Sequence, residues 1–223
     1  MMTTLVAFSG GGVFFFWELG VLSALPADVR YVWAGASAGA MAATLAACGV
    51  STGQAFQSAM ALARKNGVFR RRCGAFGIWR ALLREWLEEL LPPDAAERAS
   101  GRLTIYVTAV LPCRGRLAVC EWADREDLIR TVLASCHVPV FMDGACCAPA
   151  RGCACIDGSA WGGHMAAEHA AGTGQRVLRV DPNDDPTIAA QRSAGDWLRA
   201  GTEARLRDLY DRGAAFARRK LCL

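Results

Sequence analysis

No internal repeat, low-complexity tract or linker divides the 223 residues, so a single domain over residues 1–223 is expected. Strong charge of either sign is also missing. The formal net charge is +4 and the pI about 8.6, far short of a nucleic-acid footprint yet compatible with an anionic lipid surface. Disorder is excluded by a hydrophobic fraction of 53% against 21% charged residues. No basic side chain stands in Met1-Met2-Thr3-Thr4. A secretory leader is therefore not expected, and the chain reads as cytoplasmic, peripheral to membranes at most. The apolar stretch 5–25 is long enough to suggest a membrane span. Ser9-Gly10-Gly11-Gly12 and Glu18 interrupt it, and a buried strand, a turn and a buried helix account for it better. Histidine is scarce: only His137, His164 and His169 occur.

Cysteine, by contrast, occurs ten times. The chain is too large for a disulfide-framed miniprotein and a leader is not expected, so free thiols are expected. The cluster Cys146-Cys147…Cys153-Ala154-Cys155 lacks both the C-x2-4-C spacing and an internal histidine. No metal and no cofactor are expected there, and small residues alternating in a buried hairpin are the simpler reading.

Apolar patterning alternates strands with helices. Strands are expected at 5–8, 29–34, 103–110, 116–122 and 176–180, with another ending at Ile156. Helices are expected at 14–25, 38–48, from the Ser51 cap to 65, at 76–91, 124–134 and 162–171, and as one or two helices over 194–220. This order implies an α/β fold layered on a mostly parallel sheet.

Three features carry chemistry. Gly35-Ala36-Ser37-Ala38-Gly39 is a G-x-S-x-G between a strand and a helix. Glycines at its flanks permit a sharp turn that presents Ser37 as a nucleophile, with the following helix N-terminus favouring negative charge beside it. The alternative is a small-residue helix start capped by serine. Ser9-Gly10-Gly11-Gly12 follows the first strand, and its amides can converge on one oxyanion. A dinucleotide loop would need glycine where Phe15 stands and an acidic residue closing the second strand. Ile156-Asp157-Gly158-Ser159 places a carboxylate at a strand end, where shielding from water raises its pKa towards that of a working base. The order Ser37, Asp157, then His164 or His169 imitates a hydrolase triad, but only two strands precede the serine. His137 is the third histidine to weigh as a base.

Together these residues resemble the patatin-like phospholipase family. The resemblance rests on Ser9-Gly10-Gly11-Gly12 with Gly20-Val21-Leu22, on the serine motif, on Ala134-Ser135-Cys136-His137-Val138-Pro139-Val140-Phe141, and on Asp157-Gly158, in that order. It implies a three-layer α/β/α fold and a Ser–Asp dyad cleaving lipid acyl esters through an acyl-enzyme, without metal. By position Ser37 would be the nucleophile and Asp157 the base. Gly10, Gly11 and Gly12 would supply oxyanion donors, with the Ala38 amide beside them. One departure stands out: Phe14 and Phe15 occupy places where the family has a basic residue and a glycine. That substitution raises a second expectation, a lipid-binding relative with impaired catalysis. Arg64, Lys65, Arg70, Arg71 and Arg72 precede the helix carrying Trp79 and Trp86, a pattern that suits transient contact with a membrane surface as well as a solvated face.

Overall fold

The computed structural model describes residues 3–160, 176–189 and 195–220. The first apolar run forms strand β1 (Thr4–Phe8), buried throughout, and a 3-10 turn at Gly12–Phe14 leads into helix α1 (Phe15–Ser23). Strand β2 (Tyr31–Ala36) passes through Ser37 into α2 (Ala38–Cys48). Helix α3 (Thr52–Lys65) starts at the expected Ser51 cap, and α4 (Trp79–Leu90) ends before Pro92-Pro93. A short α5 (Ala95–Ala99) precedes β3 (Leu103–Leu111) and β4 (Gly115–Val119). Helix α6 (Arg125–Ser135) is capped by Asp124, whose Oδ1 accepts the Asp127 N–H at 2.7 Å. The hairpin β5 (Ala148–Ala150) and β6 (Cys153–Ile156) turns through Arg151 and Gly152, both at positive φ as a tight two-residue turn requires. Strand β7 (Arg176–Val180), the short α7 (Pro186–Ala189) and the long α8 (Glu203–Lys220) follow. The expected helix at 162–171 lies outside the described residues.

The sheet order is β5-β6-β3-β2-β1-β7, with β4 also paired to β3. Its centre, β3-β2-β1-β7, is parallel, and the antiparallel pairs lie on the β3 side. This is the α/β architecture, helices around a mostly parallel sheet, that the patterning implies. Alternate residues feed two cores. Val6, Phe8, Trp33 and Ile105 join the large cluster shared with the helices, while Leu5, Ala34, Ala36 and Tyr106 pack together separately. Trp17, Phe8 and Phe56 are among the largest fully buried side chains, each contributing about 1.5–3 kcal/mol by leaving water.

One detail of register positions the site. Residues Trp33 to Ala36 of β2 pair with Leu103 to Tyr106 of β3. Strand β3 runs on beyond Tyr106, with β4 along its opposite edge. The edge that β2 vacates is taken by β6, antiparallel, with Leu111 opposite Ala154 and Thr108 opposite Ile156. The end of β6 therefore meets the end of β2 head-on, and the next residues of the two strands are Asp157 and Ser37.

Candidate active site

Ser37 stands at φ 54° and ψ −124°, a conformation that costs a residue with a Cβ about 1–3 kcal/mol. The flanking glycines make the turn possible. A Cβ on Gly35 would come within 2.2 Å of the Gly39 carbonyl oxygen, and one on Gly39 within 2.4 Å of the Phe8 carbonyl oxygen. Backbone presses on backbone at both places, so no side-chain adjustment could relieve the clash. Ser37 is buried, and the first amides of α2 lie beside it.

The end of α6 holds this turn from the other side. Ser135 Oγ accepts the Ser37 N–H at 2.9 Å and donates to the Tyr106 carbonyl at 2.7 Å. Cys136 Sγ donates to the Ser37 carbonyl at 3.2 Å. Burial, then the charges of Asp157 and Glu18, push the Cys136 thiol well above its ordinary range, so it keeps the proton it donates. The same three residues hold the other candidate. The Asp157 N–H donates to the His137 carbonyl and the Gly158 N–H to the Ser135 carbonyl, both at 2.8 Å. Residues 135–137 thus clasp both Ser37 and Asp157.

The Asp157 carboxylate lies beside the Ser37 side chain, which favours its charged form. Its Oδ1 accepts the Ser159 N–H at 2.8 Å. Burial raises its pKa above the ordinary carboxylate value, opposed by Ser37 and Ser159 and, last, by the charge of His137. Among the described residues, no imidazole stands between Asp157 and Ser37. His137 is fully buried, with Nε2 3.2 Å from the Ala145 carbonyl oxygen. His164 and His169 lie outside the described residues.

The glycine turn closes the third side. A Cβ on Gly10 would lie 3.3 Å from Ser37 Cβ and 1.9 Å from Ser159 Oγ, so the loop is in contact with both. Among the described residues, the amides of Gly10, Gly11 and Gly12 donate to no backbone carbonyl. A cavity of about 30 Å³ opens at Ser37, lined also by Ala38, Met41, Trp79, Phe141 and Met142. Neither Phe14 nor Phe15 lines it; both are buried, and Phe15 packs edge-on against Trp86 with ring centroids 5.4 Å apart.

Cys153 and Cys155 are buried in the β5–β6 hairpin as free thiols, and no group of three metal-ligating side chains occurs among the described residues. The pairing of Trp79 and Trp86 with the basic run as a membrane edge needs correction. Trp86 is buried and donates its indole N–H to the Ala55 carbonyl at 3.1 Å, and Trp79 lines a cavity. Arg64 and Lys65 are tied to Glu203 and Glu85. No helix among the described residues is long and apolar enough to cross a membrane.

Residues 6–161 match the family model described as patatin-like phospholipase. The chain belongs to the patatin-like phospholipase family. Over 143 residues it is 30% identical to a mouse (Mus musculus) protein named omega-hydroxyceramide transacylase, covering 61% of this chain and 24% of that protein. It is 29% identical over 146 residues to human (Homo sapiens) patatin-like phospholipase domain-containing protein 2, covering 61% of this chain and 28% of the relative. A shorter match of 61 residues is 41% identical to human patatin-like phospholipase domain-containing protein 4, over 27% of this chain and 24% of that protein. The chain spans about a quarter of the length of these relatives.

Within this patatin-like site, the clasp is what reading the sequence missed. The block around Ser135 stood out as a resemblance, and His137 was weighed only as a base. The bonds that matter here join residues 98 and 99 positions apart and run through a hydroxyl, a thiol and main-chain carbonyls. No periodicity signals such contacts.

Proposed function

We propose that the chain is a lipid acyl hydrolase in which Ser37 is the nucleophile and Asp157 its base. The observation that carries this reading is the meeting of the β2 and β6 ends, which sets the Asp157 carboxyl beside the Ser37 side chain in a buried setting that raises its pKa. As Ser37 Oγ bonds to the ester carbonyl carbon, Asp157 takes the hydroxyl proton. The carbonyl oxygen becomes an oxyanion facing the amides of Gly10, Gly11, Gly12 and Ala38. The Ser37 N–H is committed to Ser135 and takes no part. Collapse expels the alcohol, which leaves with the proton from Asp157. Water then gives a proton to Asp157, attacks the acyl-enzyme and releases the fatty acid, and Ser37 recovers its proton.

Because one relative is named a transacylase, an alcohol acceptor in place of water is a second reading of the same acyl-enzyme. The reading of an impaired, lipid-binding relative is disfavoured, since Phe14 and Phe15 turn away from the cavity at Ser37. Contact with an anionic lipid surface is proposed at the rim of that cavity. Phe76 and Val140 are exposed there, Phe76 packs edge-on against Phe141, and Arg70, Arg71 and Arg72 are exposed on the preceding segment.

The test is labelling with a fluorophosphonate alongside hydrolysis of aryl esters and phospholipid. Wild-type protein should label and turn over, and Ser37→Ala should do neither. Equal labelling of both would overturn the enzyme reading. Adding a long-chain alcohol and analysing the products separates hydrolysis from acyl transfer.

A further inference from the structure

The aromatic run Phe14-Phe15-Phe16-Trp17 departs from the family pattern, and two of its rings shape a space the site has not yet used. Between α1, α3 and α4 lies a cavity of about 70 Å³ with almost wholly apolar walls. At its deep end Phe15 meets Trp86 edge-on, and Phe16 meets Phe56 in the same manner at 5.6 Å. Met60 and Leu83 complete that end. At the other end, Gly12, Val13, Met41, Trp79 and Ala200 line both this cavity and the one at Ser37. The apolar space thus begins where the proposed oxyanion loop ends, and leads away from Ser37 into the core.

We infer that this cavity is the seat of the substrate's acyl chain and that it selects a chain of no more than medium length; the inference rests on the hydrolase reading. Three observations bear on it. First, an apolar cavity in a well-packed core forfeits dispersion contacts unless something fills it, and walls without polar groups fill best with hydrocarbon rather than water. Second, the position of the opening suits an acyl group, because the chain must leave the carbonyl carbon that Ser37 attacks. Third, the length is bounded. The lining runs along α4 from Trp79 to Trp86, about 10 Å at the helical rise, so an extended chain of more than about eight carbons overruns it at ordinary C–C bond lengths. Longer chains meet the Phe15–Trp86 pair. A sterol is too large for a space of this volume.

The experiment is a series of p-nitrophenyl esters from two to sixteen carbons, on wild type and on two variants at the deep end. For wild type, kcat/KM should rise roughly fourfold per methylene, the value of one buried CH₂, and stop rising at or before about eight carbons. Leu83→Ala should move that break to longer chains, and Leu83→Phe to shorter ones. Because the two changes act oppositely, a fold defect in one cannot imitate the expected pair of shifts. Turnover without a break, or a break that neither variant moves, would overturn the acyl-seat inference while leaving the hydrolase reading intact. If wild type turns over no ester at all, the hydrolase reading fails. Binding then decides, through quenching of tryptophan fluorescence by terminally brominated fatty acids. Affinity that peaks at no more than medium length and shifts with Leu83 supports the seat, and length-independent or absent quenching rejects it.

Discussion

Ser37 and Asp157 stand side by side but come from unlike parts of the sheet. Ser37 comes from the parallel centre, where β2 turns sharply into α2 and two glycines let backbone touch backbone. Asp157 comes from the antiparallel flank, where β6 occupies the edge of β3 that β2 leaves free. The first placement is local and strained, and its parts fall within residues 35–39. The second is relaxed and non-local, assembled from β3, β6 and the end of α6. The clasp at residues 135–137 bonds to both and so ties one to the other. A short strained turn fixes the direction of Ser37. Asp157 is aimed by long-range hydrogen bonding.

The largest break in this comparison should come from Asp157→Asn. An amide cannot take the Ser37 proton, so kcat/KM should fall by about 10²–10⁴-fold, the usual worth of a general base. Stability should move the opposite way. The folded chain holds the Asp157 proton more tightly than the unfolded chain, because burial raises its pKa. The contribution of this group to stability is therefore full below the ordinary carboxylate pKa and is lost as pH rises through the folded value. At neutral pH the wild type carries that penalty and the asparagine variant does not. Thermal melts should show the variant gaining relative to wild type at pH 7, with the gain shrinking towards pH 4. For the wild type, kcat/KM should lose its base on an acid limb lying above the ordinary carboxylate pKa. A variant that stays active, or an acid limb at the ordinary value, would remove Asp157 from the role.

The same contrast explains what could be read without coordinates. β1, the glycine turn, the serine elbow and α2 are contiguous, and each is signalled by residues within one turn of it. The caps at Ser51 and Asp124 are equally local. The end of β6 at Ile156 was legible as a strand end, but its pairing to the vacated edge of β3 was not, since β3 and β6 are some forty residues apart and either edge of β3 fits the same alternation. Helix α5 was missed because a five-residue element after Pro92-Pro93 carries almost no periodic signal. Trp86 misled for a different reason. Its spacing correctly put α4 on an amphipathic face, but spacing alone does not say whether that face meets lipid or core.

Ser135→Ala probes the clasp and should have an intermediate effect. Removing the hydroxyl strips the Ser37 N–H of its acceptor and the Tyr106 carbonyl of its donor, in a buried place. That should cost about 1–3 kcal/mol of stability. A misaimed Ser37 should lower kcat by about 10–100-fold, with KM for a short ester little changed, because the hydroxyl does not face the acyl cavity. Fluorophosphonate labelling should slow without disappearing. If kcat per folded molecule is unchanged, the clasp is a fold support and the elbow holds Ser37 unaided.

The smallest effect is expected from His137→Ala, and its smallness is informative. The imidazole is fully buried, and its Nε2 is spent on the Ala145 carbonyl. What His137 gives to the site is its main-chain carbonyl, which accepts the Asp157 N–H and survives the substitution. Loss of the ring leaves a cavity, so the melting midpoint should fall. Activity should be normalised to the fraction that titrates with fluorophosphonate. On that basis kcat/KM should stay within roughly threefold, far from the 10²–10⁴-fold that loss of a general base costs. One finer change should accompany it. The charge of His137 lowers the Asp157 pKa, so without the ring the acid limb should move to higher pH. His164→Ala and His169→Ala, outside the described residues, should likewise leave normalised turnover in place. A thousandfold loss in any of the three would install an imidazole as the base and reduce Asp157 to orienting it.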